Sequence, residues 1–136
     1  MTPERFAQLR QINSEVNAIP YQGVTGLTEP QDFWADSPVE GQSWVCRDYV
    51  LDKAKRLTEA GFDKAALTII LCWTEIRPEN NNQREYHAVL AVEDDPDTWI
   101  LDSRFPDVRK YQEPDPQGYV WDKRQVAGTI EFAPVA

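Results

Sequence analysis

The tightest constraint on the fold is one continuous aliphatic run, residues 65–73 (AALTIILCW), rich in β-branched side chains and bounded by Lys64 and the later Pro78. A run this short and this apolar reads as a buried strand, with Cys72 belonging to it. After a polar connection, residues 86–92 and 98–102 read as two further strands. The acidic, turn-forming Glu93-Asp94-Asp95-Pro96-Asp97 separates them, which predicts an antiparallel hairpin. If the hairpin loop takes residues 93–96, Val92 pairs with Asp97, and stepping back along the ladder sets His87 opposite Asp102. Cross-strand partners share a face and lie within side-chain reach.

Two helices accompany these strands. Thr2-Pro3-Glu4 supplies an N-cap, an N1 proline and a first-turn acid, and Phe6, Leu9, Ile12 and Val16 recur at helical spacing, so a first helix runs to about Asn17. From Pro20 to Gly41 the glycines, prolines and scattered aromatics show no sustained period and read as a long loop anchored by Tyr21, Phe33 and Trp34. At Ser43, a capping hydroxyl opens a second helix that Gly61 closes. Val50, Ala54 and Leu57 share the face of Cys46, which places the cysteine in the first turn, where the helix dipole and backbone N–H groups favour a thiolate. Beyond Phe105 the chain is interrupted by prolines, and Tyr119-Val120-Trp121 and residues 128–132 read as short edge strands.

The 136 residues carry a formal charge of -9, a surface that repels nucleic acid and anionic lipid rather than attracting them. They fit one domain, and no run approaches a membrane span. MTPERFAQLRQINSEV offers no continuous apolar segment of the signal-peptide kind, so the expected location is cytoplasmic. One histidine and two cysteines, with no C-x-x-C or H-E-x-x-H pattern, leave zinc without its usual ligands. Asp94, Asp95 and Asp97 lack EF-hand spacing and read as a solvated turn. With 23 acidic residues any carboxylate pair is unspecific, so a glycosidase reading is arbitrary.

Taken singly, Cys46, Cys72 and His87 are ordinary core residues. As a set, Cys46 and His87 are the two halves of an activated thiol: the imidazole takes the thiol proton and later protonates the leaving group. Asp102 is placed to accept the other ring N–H and fix its tautomer. An oxyanion would meet the backbone N–H of Cys46, with Gln42 or the indole N–H of Trp44 as a second donor. Cys72, inside the aliphatic strand, keeps the core reading.

At Cys46-Arg47-Asp48-Tyr49-Val50, Tyr86-His87-Ala88-Val89-Leu90 and Trp99-Ile100-Leu101-Asp102, the sequence resembles the bacterial transglutaminase-like cysteine proteinases, which carry a Cys, His, Asp triad in this order. The resemblance extends upstream to Val16-Asn17, Tyr21 and Asp32-Phe33-Trp34 with Pro38, and downstream to about Phe105. Gly41-Gln42-Ser43-Trp44-Val45 is also similar to the Gly-Gln-Cys-Trp-Val of eukaryotic transglutaminases with serine at the nucleophile position, but Asp48-Tyr49-Val50 favours Cys46. The resemblance implies an α+β fold of the papain/transglutaminase type, N-terminal helices packed on an antiparallel sheet, and a protein or peptide substrate. The best-known branch of the family is a periplasmic calcium-dependent protease that trims surface adhesins, with acids flanking its cysteine. Val45 and Arg47 stand there in this chain, so no metal site is carried over and no cofactor is expected. Small leaderless relatives resemble proteins of bacteriophage and prophage genomes, which makes a phage-encoded or virion-associated setting a further expectation.

The expected chemistry is therefore cysteine-dependent hydrolysis of an amide through Cys46, His87 and Asp102. Two alternatives use the same residues or the same fold. A transglutaminase or deamidase would share the triad, and a catalytically silent binding or structural module would keep the fold alone.

Overall fold

A computed structural model of the chain describes residues 1–19, 46–74, 82, 86–94, 96–111, 119–127, 129 and 131–135, with the backbone alone at Cys46 and Arg47. Helix α1 spans Pro3–Asn17 and α2 spans Cys46–Glu59; a 3-10 turn, Lys64–Ala66, leads into strand β1, Leu67–Trp73. Strands β2 (Tyr86–Asp94), β3 (Asp97–Leu101), β4 (Arg109–Lys110), β5 (Val120–Gln125) and β6 (Phe132–Pro134) follow. They form an antiparallel sheet in the order β4-β3-β2-β1-β5-β6.

Local chemistry accounts for the helix ends. The Thr2 side chain accepts from the Arg5 N–H at 3.1 Å, and Pro3 occupies the first helical position, where no N–H is needed. At the far end of α2, Gly61 takes a φ of 100°, Phe62 N–H donates to Leu57 C=O, and Gly61 N–H donates to Thr58 C=O. This is a Schellman closure, with Phe62 and Leu57 joining the same apolar cluster. The start of the second helix expected at Ser43 lies outside the described residues.

The aliphatic run forms β1 at the centre of the sheet, buried from Leu67 through Cys72. Its alternate side chains serve two layers. Ile69 and Leu71 join Ala88, Leu90 and Leu101 beneath Leu9 of α1 and Val50 and Leu57 of α2. Ile70, with Val89, Ala91 and Ile100, forms a second cluster covered by Tyr111, Tyr119 and Trp121. A strand covered on both faces has no polar side to show, hence the unbroken apolar sequence.

Two expectations are corrected. The hairpin connection is two residues rather than four: Asp94 pairs with Asp97, and Leu90 with Leu101. A shift of two keeps every side chain on its expected face, since the pleat repeats every two residues. Second, the strand beginning at Val120 is not an edge. β5 lies between β1 and β6, and the edges are β4 and β6. The β1–β5 register slips between Leu71 and Cys72, so that Lys123 and Trp121 are their partners. Asp122 is the extra residue of this bulge, and its carboxylate accepts the Tyr86 hydroxyl at 2.6 Å. No helix among the described residues is long and apolar enough to cross a membrane.

Lys53 breaks the apolar pattern of α2's inward face, with only 1 % of its surface exposed. Burial pushes its amine from 10.5 down to about 7, while the charge of Asp102 pulls the other way. Between pH 7 and 10.5 the unfolded chain therefore holds a proton that the folded chain has released. Folding stability should rise across that window by up to about 1.4 kcal/mol per pH unit from this group. Below it both states are charged and the full cost of burial is present. Lys53→Met, which keeps the apolar stem, is expected to flatten that slope and to raise stability at pH 7. Urea melts at pH 7, 8 and 9 measure it, and parallel slopes for the two proteins would refute the assignment.

Candidate active site

His87 is the second residue of β2, and Asp102 follows directly on the last residue of β3. With Leu90 opposite Leu101, continuing the ladder sets Asp102 across from Val89, so that His87 is its diagonal neighbour on one face rather than its direct partner. The two side chains nevertheless meet. His87 Nε2 lies 2.8 Å from Asp102 Oδ1, and the residues are 3 % and 2 % exposed.

The Asp102 carboxylate is saturated with donors. Oδ1 also accepts the backbone N–H of Arg104 at 2.9 Å, a local turn closed by the aspartate itself. Oδ2 accepts Arg104 Nε at 3.3 Å, Arg104 Nη2 at 3.1 Å, and the hydroxyl of Tyr119. Burial alone would raise this carboxyl. The charge and hydrogen bond of His87, the Arg104 guanidinium and the Tyr119 hydroxyl outweigh it and hold Asp102 well below the usual carboxylate range. The reciprocal effect appears at Tyr119, whose hydroxyl is pushed well above its ordinary value by burial and by the Asp102 charge and hydrogen bond.

An ionised carboxylate only accepts, so the proton between the pair sits on His87 Nε2. Proton exchange with any substrate or thiol then falls to Nδ1. The carboxylate fixes that tautomer and stabilises the imidazolium when it forms.

The backbone around Asp102 is held from the helical layer. Asn17 Nδ2 donates to the carbonyls of Asp102 and Phe105, and Asn13 Nδ2 to those of Phe105 and Pro106, each at 3.1 Å. Just beyond α1, the Ile19 carbonyl accepts the hydroxyl of Tyr49, a residue in the first turn of α2. Lys53, one turn further along α2, feels the charge of Asp102. Helix α2 is thus tied to the end of α1 through Tyr49 and senses Asp102 through Lys53.

Of the residues expected from sequence, His87 and Asp102 are brought together and Cys46 begins α2. The Cys46 side chain, Gln42, Ser43, Trp44 and Val45 lie outside the described residues. Cys72 is buried directly across the ladder from His87, and its thiol points to the His87 carbonyl at 3.6 Å. Arg104, Tyr119, Lys53 and Asn13 escaped the sequence reading. Only Arg104 left a local trace, two residues past an aspartate able to close a turn on its N–H. Among the described residues no group of three or more His, Cys, Asp or Glu side chains is placed to hold a metal ion.

Comparison with known proteins places this geometry. Several solved structures match, among them LapG of Legionella pneumophila in a calcium-bound form, at a TM-score of 0.67 and 25% identity over 89% of this chain and 65% of that one. The EGTA-treated form of LapG matches at a TM-score of 0.65 and 26% identity, over 90% and 63%. The chain therefore spans less than two thirds of the length of the LapG chains it matches. The fold is accordingly of the papain/transglutaminase type, two helices on an antiparallel sheet. No curated protein matches. The model of one family, described as bacterial transglutaminase-like cysteine proteinase, matches residues 1–131, and the chain belongs to that family.

Proposed function

We propose that this protein is a cysteine peptidase or amidohydrolase that acts on a protein or peptide amide through Cys46, His87 and Asp102. The observation that carries the reading is the buried His87 Nε2 to Asp102 Oδ1 bond at 2.8 Å, in a family of cysteine proteinases and in a chain whose second helix begins at Cys46. A histidine oriented in this way has little use for packing alone, because it places an ionised carboxylate under the sheet at a desolvation cost.

In the proposed reaction His87 Nδ1 takes the Cys46 proton. The thiolate attacks the amide carbonyl, and the C–N bond breaks as the imidazolium returns that proton to the departing amine. Water then attacks the thioester with His87 again as base, releasing the carboxylic acid and restoring the thiol. The backbone N–H at the start of α2, with Gln42 or Trp44, is the proposed anion hole. An amine in place of water would give acyl transfer through the same residues.

The matched LapG structure is calcium-bound. In this chain the positions beside the cysteine are Val45 and Arg47. Asp48 remains, and among the described residues it belongs to no group of three or more His, Cys, Asp or Glu side chains placed to hold a metal ion. The described donors do not fit a hard cation, which needs several oxygen ligands, and no step is assigned to calcium. Activity and melting temperature should survive excess EGTA. Loss of either that calcium alone restores would overturn this.

Iodoacetamide labelling across pH, with the modified cysteine mapped by peptide mass, tests the nucleophile. Cys46 should react well below the pH at which an ordinary thiol does, while buried Cys72 stays slow. Equal, slow labelling of both would end the peptidase reading. With a turnover assay, Cys46→Ala and His87→Ala should be inactive but folded, Asp102→Asn should lose ~10³- to 10⁴-fold, and Cys72→Ser should remain active.

A further inference from the structure

Tyr119 reaches Asp102 from a segment that the expected triad does not include. Its ring stacks on Trp121 at 4.7 Å with the planes 20° apart, and the Arg104 guanidinium lies over it at 5.3 Å. Trp121 sits across the ladder from Cys72, and Cys72 sits across from His87. One transverse row of the sheet therefore carries the histidine at one position and the anchor of Tyr119 two strands away.

A carboxyl group turns readily about its last side-chain bond, whose preferences are broad. In Asp102 the two oxygens are divided between partners. Oδ1 takes His87 and the Arg104 N–H, while Oδ2 takes the Tyr119 hydroxyl and the Arg104 side chain. Resting on the peptidase reading above, we propose that Tyr119 is a positioning residue for the His87–Asp102 pair. Together with Arg104 it acts through Oδ2, holding Oδ1 toward the imidazole and drawing charge away from it. The second effect has a sign. Donors on Oδ2 weaken the hold of Oδ1 on the imidazolium, so removing one should make the imidazolium more stable.

Among the described residues, the charged and titratable groups around the pair are Lys53 from α2, Arg104 from the turn after β3, Tyr119 ahead of β5, and Cys72 from β1. Because the chain has one histidine, its imidazole titration can be followed by NMR with no assignment problem. The experiment compares wild type, Tyr119→Phe and Arg104→Gln, each also in a Lys53→Met background so that the lysine does not contribute. The histidine midpoint should move upward in Tyr119→Phe, and further, on the order of one pH unit, in Arg104→Gln. The alkaline step in Cys46 alkylation by iodoacetamide should move with it. A tyrosine that only packs would lower the melting temperature and leave both titrations in place, which would overturn the proposal.

Should Tyr119→Phe fail to fold, site-specific fluorotyrosine at position 119 keeps the ring and makes the hydroxyl a stronger donor. The histidine midpoint should then move downward, and an unmoved midpoint would again overturn the proposal. The two readings fail separately. An unreactive Cys46 in wild type removes the peptidase reading, whereas a hyper-reactive Cys46 with an unmoved histidine in Tyr119→Phe removes the positioning role alone.

Discussion

An ionised carboxylate can be withdrawn from water only if the protein supplies the donors that water did, and much of this fold is arranged around that demand at Asp102. The aspartate follows the last residue of β3 and faces a histidine from β2. Its turn is tied to α1 through Asn17, its outer oxygen to the segment ahead of β5 through Tyr119, and its field reaches Lys53 in α2. Leaving any of these donors out would leave a lone pair unmet in a low-dielectric setting, at a cost comparable to a large core deletion.

The cationic surroundings are unusual in their balance. Arg104 already pairs with the carboxylate, and Lys53 lies near enough to sense it. A lone aspartate would bind the imidazolium tightly and make it a poor acid. One whose charge is shared among an arginine, a phenol and an imidazole holds it more loosely, which suits a group that accepts and returns a proton in the proposed reaction.

Local features of the chain were readable because their causes are local. Thr2 and Pro3 start α1, Gly61 ends α2, and a short, β-branched aliphatic run reads as a buried strand. His87 and Asp102 fall on one face in the sequence and in the structure alike, because alternation survives a shift of two in register. The acidic connection closes in two residues where four were expected. What escaped was set by distant partners. Nothing in Tyr119-Val120-Trp121 says that it will lie beside β1 rather than at an edge. A lysine in an amphipathic helix is ordinarily taken as solvated, whereas Lys53 is buried in the folded chain.

The asparagines of α1 grip carbonyls in the 102–106 turn across 85 to 93 residues of sequence, and Tyr119 closes the same turn from the other side. The acid–base half of the site is therefore completed only after the helix that begins with Cys46 has emerged, because it draws on residues as far along as Tyr119. A nascent or partly folded chain would carry the thiol without the oriented imidazole. On the proposed reaction, an activated thiol would arrive only with the finished fold.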